Sequence, residues 1–243
     1  MRLRSAAVAL VVVAGAAVCV RLGFWQLARL HQKQALNAAL ARSLALPPLD
    51  LSGDALRGAQ PESLANRRVV LRGSYDEARQ ALLMGQIHEG EPGVHVLTPL
   101  VVAGGTVLVD RGWIPAPDAV SARPREYPAP GAREVVGLAE PYARARGATG
   151  TRWLEDDSVH VLATARADVD TIAARLGVPL APFLVAELPS PTLASPPFRE
   201  PPPQHEEFMH LSYAVQWFSF ATILLVGSSA LAWSRRRRDD TSA

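Results

Sequence analysis

The chain has 243 residues, 49% hydrophobic and 20% charged, which is too apolar for a disordered protein. A single cysteine, Cys19, excludes a disulfide framework and any paired-cysteine redox or zinc site. The formal charge is +2, but residues 27–209 hold 18 Lys+Arg against 21 Asp+Glu, so no basic face for nucleic acid is expected.

After a short basic start (residues 1–4), Ser5–Val20 is an unbroken small and apolar run that resumes after Arg21 as Leu22-Gly23-Phe24-Trp25. Residues 5–26 read as a first transmembrane helix, with Arg21 near enough to its end to snorkel its head group. A cleaved signal peptide is the competing reading, supported by the small residues Ala14-Gly15-Ala16-Ala17. A lipidated Cys19 is disfavoured because Val18 stands where a small residue is expected. The continuation of the apolar run to Trp25, and then into a helical pattern, favours a retained anchor.

From Trp25 to Leu44, the apolar residues Leu27, Leu30, Leu36, Ala39 and Leu40 recur at helical spacing. The first span is thus expected to continue outward as a helix until Pro47-Pro48 stops it. Strands are predicted over Arg67–Tyr75, Ala81–Met84, Val94–Val102, Thr106–Ile114, Glu134–Glu140 and Ser158–Thr164, with Gly104-Gly105 marking a hairpin. Alternation would put Val107, Val109 and Arg111 on one face of their strand and Leu108, Asp110 and Gly112 on the other. Ala167–Leu176 reads as a short helix ended by Gly177, and Phe183–Glu187 as a last strand.

Residues 189–203 carry seven prolines and read as an extended tether back to the membrane. Leu211–Trp233 is 23 residues without a formal charge, roughly 34 Å of helix, and residues 210–233 read as a second span. Arg235–Arg238 begin the basic tail, residues 234–243. The positive-inside rule then places both termini in the cytoplasm and residues 27–209 outside it, in a multi-pass protein of the plasma (inner) membrane. The fold class expected is α+β: two transmembrane helices flanking a mainly antiparallel, barrel-like β domain with edges closed or curled away.

Enzyme chemistry is not visible. No GxSxG, HExxH, P-loop or dinucleotide glycine pattern occurs, and no catalytic residue is nominated. Asp156-Asp157 and Glu206-Glu207 are adjacent acids of the kind usually left solvated, and Asp110-Arg111 reads as an ion pair or solvent-facing positions. His31, His88, His95 and His160 lack ligand-spaced partners and read as structural or exposed. One Cys and three scattered Met do not supply soft ligands for copper.

His210 differs. It opens the second span, and Tyr213 and Trp217 follow at i+3 and i+7 on the same helix face. An interfacial aromatic belt accounts for the Tyr and Trp. An imidazole at the membrane boundary among flat aromatic rings also suits an axial haem ligand, and the residues alone leave both readings open.

Three motifs carry a resemblance. They are Leu22-Gly23-Phe24-Trp25-Gln26-Leu27-Ala28-Arg29 with Lys33 and Leu36; Val94-His95-Val96-Leu97-Thr98-Pro99 with Val107–Pro115; and His210-Leu211-Ser212-Tyr213-Ala214-Val215-Gln216-Trp217-Phe218. Gly73-Ser74-Tyr75 adds a fourth, shorter match. In this order and with this two-span plan, nearly the whole chain resembles the Surfeit locus protein family of cytochrome c oxidase assembly factors. The resemblance implies a respiratory-chain chaperone that binds haem a transiently and helps insert it into the oxidase catalytic subunit, with a haem a synthase as a further partner. It implies His210 as axial ligand to the haem iron and Tyr213 and Trp217 as flanking residues.

The chain departs from the family pattern in two places. Phe208 stands where Asn is frequent, two residues before the histidine, and Asp110 stands at another position where Asn is frequent. The first departure leaves the source of the histidine's supporting hydrogen bond undefined. His205 lies close by without being assignable as a second ligand, and Arg29 or Arg111 are candidate cations for haem propionates. The reading from a different class is a scaffold that holds oxidase subunits or the haem synthase together and binds no haem.

Overall fold

The computed structural model describes residues 2–140, 150–156, 159–193, 195–204 and 206–241. By packing, the chain divides into a helical unit, residues 1–41 with 204–243, and a β unit, residues 42–203.

Helix α1 (Arg2–Ala45) runs unbroken through the apolar stretch and the amphipathic continuation predicted to follow it, and ends two residues before Pro47-Pro48. A proline has no N–H to donate and restricts the residue before it, so the helix stops there. Helix α5 (Phe208–Thr241) carries the second apolar stretch. Both are long and apolar enough to cross a bilayer, over Ala6–Ala45 and Phe208–Ser234, and only 17% and 11% of their most apolar windows are buried in the protein. Val8, Leu10, Val11, Ile223 and Val226 are each 62–71% exposed. Side chains this apolar and this bare suit a hydrocarbon surrounding rather than the core of a soluble protein.

Where α1 and α5 touch, small residues let the backbones approach. A Cβ at Gly23 would lie 2.7 Å from the Phe218 ring, which meets Phe24 edge-on at 5.4 Å between centroids. Ala16, Ala214 and Ala221 are buried in the same unit. Asn37 Nδ2 donates to Glu207 Oε1 at 2.7 Å.

In the β unit, the strands are β1 (Leu49–Asp50), β2 (Arg67–Tyr75), β3 (Ala81–His88), β4 (Glu91–Val102), β5 (Gly105–Pro115), β6 (Ala132–Glu140), β7 (Arg152–Asp156), β8 (Val159–Thr164) and β9 (Leu184–Glu187). The short helices α2 (Asp54–Arg57) and α3 (Pro61–Leu64) precede β2, and α4 (Val169–Leu176) lies between β8 and β9. The order β2-β6-β9-β5-β4 is closed by a further β2–β4 pairing, giving a five-strand barrel in which only the β5–β9 pair is parallel. On the edge away from β5, β4 also pairs with β3, which pairs parallel with β8, and β8 pairs antiparallel with β7. Strand β4 is 12 residues long because it serves both sheets: Leu100–Val102 pair with β2, and Glu91–Leu97 with β3.

Gly73 makes the closure possible. It pairs with Arg133 on one side and Val102 on the other, and a Cβ there would meet the Val101 carbonyl oxygen at 2.1 Å. Inside the barrel, Val69, Leu71, Leu100, Val107, Val109, Val135 and Phe183 are fully buried, with Leu51, Leu56 and Leu64 from the β1–α3 segment completing the cluster. A second cluster packs α4, through Val169 and Ile172, against Ala81, Leu97, Leu108 and Leu162. Asp168 caps α4 by accepting from the Thr171 N–H at 2.8 Å, and Gly177 ends the helix as expected.

Strand β2 has the predicted bounds, and β4, β5 and β6 are longer by one to three residues at their starts, β5 by one at its end as well. Strand β3 runs on to His88, past Gly85, while β7, β1 and the short α2 and α3 were not foreseen. Ser158 and Asp157, which the sequence reading placed in a strand start and an acidic pair, lie outside the described residues. The proline-rich segment is not a free spacer along its whole length. Phe198 exchanges two backbone hydrogen bonds with Trp113 (2.8 and 2.7 Å), and the Arg199 guanidinium reaches Glu187 Oε2 at 2.8 Å, with side chains 4% and 2% exposed. Backbone that offers unpaired N–H and C=O groups can add to a sheet margin even when flanked by prolines.

Candidate functional site

The helical unit brings His210 to Gln26. Gln26 Oε1 accepts from His210 Nδ1 at 2.8 Å, between residues 184 positions apart. Gln26 is only 9% exposed, whereas His210 is half-buried at the start of α5. A carboxamide oxygen can only accept, so Nδ1 donates, and in the neutral ring this leaves the lone pair on Nε2. That is the state in which an imidazole binds a metal, with its ring orientation set by an outer hydrogen bond. The hydrogen-bond partner left undefined by Phe208 is therefore supplied from the other helix, by the glutamine of the Leu22–Arg29 motif. The sequence reading quoted Gln26 within that motif but gave it no role.

Tyr213, 45% exposed, and the half-buried Trp217 follow on α5. Neither ring contacts His210 among the described residues, and Trp217 instead meets Phe220 edge-on at 5.9 Å. Arg29 lies over Trp25 at 5.7 Å from the ring centroid and donates to Gln32 Oε1 at 3.0 Å, on an exposed part of α1. His205 lies outside the described residues.

The β unit assembles a second polar centre that the sequence reading dispersed. Opposite Val96 of β4, β5 carries one extra residue at Arg111-Gly112, a β-bulge with Gly112 at φ +106°. A Cβ on Gly112 would also meet the Phe198 carbonyl oxygen at 2.3 Å. The bulge separates Asp110 from Arg111. Asp110 Oδ1 accepts from the Gly112 N–H at 2.8 Å, and Asp110 Oδ2 lies 2.7 Å from His95 Nδ1. Arg111 turns into the barrel, 1% exposed. The two residues expected to pair with each other or face solvent are thus both buried and bound elsewhere.

His95 Nε2 faces Glu200 at 3.9 Å, and His88 Nδ1 is 3.6 Å from the same carboxylate. The His88 ring lies 5.1 Å from that of Trp113 and stacks on Phe198 at 5.4 Å. Burial alone would lower the His95 pKa, but the hydrogen bond and charge of Asp110, with Glu200 and Glu140, hold it above its ordinary 6.5. Burial and the Asp110 charge together push Glu140 up. These groups line a cavity of about 340 Å³ whose walls include Leu138, Leu184 and Pro201–Pro203. No group of three or more His, Cys, Asp or Glu with metal-holding geometry occurs among the described residues. The centre is a hydrogen-bonded acid–imidazole pair whose histidine, with His88, faces Glu200 of the proline-rich segment.

Two bilayer-length helices that flank, in sequence, a β unit with a closed five-strand barrel define a protein of the α+β class. The SURF1 family model matches residues 13–222, and the chain belongs to that family. It is 32% identical over 247 aligned positions to a SURF1-like protein of Mycobacterium tuberculosis, covering 96% of this chain and 86% of the relative. It is also similar to Surfeit locus protein 1 of Takifugu rubripes, 31% identical over 48% of this chain and 55% of the relative. The cytochrome oxidase assembly protein SHY1 of Saccharomyces cerevisiae is 30% identical over 56% of this chain and 36% of its own length.

Proposed function

We propose that this protein is a membrane-anchored assembly factor for cytochrome c oxidase that receives haem a as cargo on His210 and delivers it to the oxidase catalytic subunit. Membership of the SURF1 family and the yeast relative's name, a cytochrome oxidase assembly protein, support oxidase assembly. The observation that carries the haem step is the Gln26–His210 hydrogen bond, which leaves Nε2 free to face an iron. Haem iron bound there would gain one axial imidazole. The chain's own contribution is to orient the ring, to keep Nδ1 protonated, and to offer apolar flanks through Phe208, Tyr213 and Trp217. A single neutral ligand held by an uncharged partner suits cargo that must leave again, because neither residue adds a charge to retain the iron. Two candidate spans with Arg235–Arg238 after the second support, by the positive-inside rule, a β unit on the outer side of a plasma membrane whose oxidase recipient is itself membrane-embedded.

The test is a difference spectrum of the full chain purified from cells supplied with a haem a biosynthetic system. Wild type should carry a Soret band that His210→Ala abolishes while the fold, followed by circular dichroism, is kept. A wild type that stays colourless with haem a present in the same membranes overturns the haem step. Co-purifying oxidase subunits in that colourless sample would assign the protein to scaffolding.

A further inference from the structure

The barrel gathers positive charge at one place, where no carboxylate among the described residues forms a salt bridge with it. Tyr75 of β2, Arg111 of β5 and Arg133 of β6 meet there, the two guanidinium carbons lying 5.1 and 5.5 Å from the Tyr75 ring centroid. Arg111 is 1% exposed. Its Nη2 donates to the Tyr127 carbonyl at 2.6 Å, while its Nε and Nη1 are buried without an acceptor. Arg133 Nε and the Tyr75 hydroxyl are likewise buried and unpartnered.

The neighbouring carboxylates are engaged elsewhere. Glu187 accepts from Arg199 Nε and Nη2 at 2.9 and 2.8 Å, and Glu77 accepts from the Ala129 N–H. A guanidinium does not give up its proton in a protein, so burial cannot be relieved by neutralisation. A buried charge and its donors left without acceptors cost far more than the same groups in water. Solvated anions also match guanidinium donors well in geometry and charge. Tyr75 and Arg133 are only half-buried as whole residues, so these two form the rim by which the cluster borders solvent, although the donor atoms themselves are buried.

From these unpartnered donors we infer that the Tyr75–Arg111–Arg133 cluster is a binding site for an oxyanion of the carboxylate or phosphate class. Arg111 supplies the buried charge, and the Tyr75 hydroxyl and Arg133 Nε donate from the rim. The inference does not rest on the haem reading and involves no residue of the helical unit.

Its test uses the full chain in detergent, titrated separately with inorganic phosphate and with acetate, against chloride at matched ionic strength. Thermal unfolding and calorimetric binding are both read. At least one oxyanion should bind saturably and raise the melting temperature, and the stronger of the two identifies the class. Arg111→Gln should weaken that binding at least about tenfold. Arg133→Gln and Tyr75→Phe should weaken it less. If Arg111→Gln does not fold, the two rim variants decide. A response to phosphate and acetate no larger than to chloride overturns the site, as does binding unchanged in folded variants. Either result assigns the open donors to water.

Discussion

His210 and Gln26 are joined by a 2.8 Å hydrogen bond that ties the start of α5 to the middle of α1. Through it, two motifs at opposite ends of the sequence become one imidazole of defined tautomer. On the proposed haem reading, Gln26 would be a positioning residue, acting on iron only through the histidine. With haem a supplied, Gln26→Leu should weaken haem retention by about 10–100-fold and shift the Soret maximum, while Gln26→Glu should retain more haem than Gln26→Leu because it keeps an acceptor. An unchanged spectrum in Gln26→Leu would separate the glutamine from the ligand.

Barrel closure depends on Gly73, whose missing Cβ lets the Val101 carbonyl pass at a distance no side chain allows. Gly73→Ala should destabilise the β unit by about 2–3 kcal/mol. Gly58, with φ −88° and its nearest neighbour atom at 3.4 Å, is the control, and Gly58→Ala should stay within about 1 kcal/mol of wild type. Chemical denaturation of both variants would measure the difference.

Arg199 and Glu187 are buried with each other, which makes either one costly alone. Arg199→Met and Glu187→Leu should each destabilise by about 3–5 kcal/mol, and the double variant should recover part of that loss because no lone charge remains. A double-mutant cycle gives the coupling. Limited proteolysis should then cut first around residues 195–200, which the pair and the Trp113 bridge hold down.

The β unit should lose stability as pH rises from mildly acid to alkaline. His95 holds its proton more tightly folded than unfolded, so its contribution is complete below about 6.5 and is lost as pH rises through the higher folded value. Glu140, raised by burial first and by Asp110 second, slopes the same way from about 4.5 upward. Hydrogen exchange at β4 and β5 across this range would show it. His95→Gln should flatten the part above pH 6.5 and enlarge the Glu140 part, because the His95 charge holds the Glu140 pKa down.

Much of the β unit was legible because hydrophobic alternation is a local property. Arg67–Tyr75 and the Gly104 hairpin announce themselves within ten residues, and the inward face Val107-Val109-Arg111 follows from the two-residue period. The destination of Arg111 was not local. Alternation puts Arg111 on the face of Val107 and Val109, but that Tyr75 of β2 meets it there, and that His95 of β4 meets Asp110, depends on pairings between distant strands that sequence spacing does not mark.

By itself, the sequence determined two bilayer-length apolar helices, a strand-rich stretch between them, and the histidine at the head of the second helix. Each is written in composition and short periods, which need no partner to be read. Only the tertiary structure decided which glutamine orients that histidine, that β2 and β4 close a barrel through Gly73, and that the proline-rich segment docks at Trp113 and Glu187. Those outcomes depend on contacts between residues far apart in the chain, where burial and hydrogen-bond satisfaction select one pairing among many that the local pattern allows.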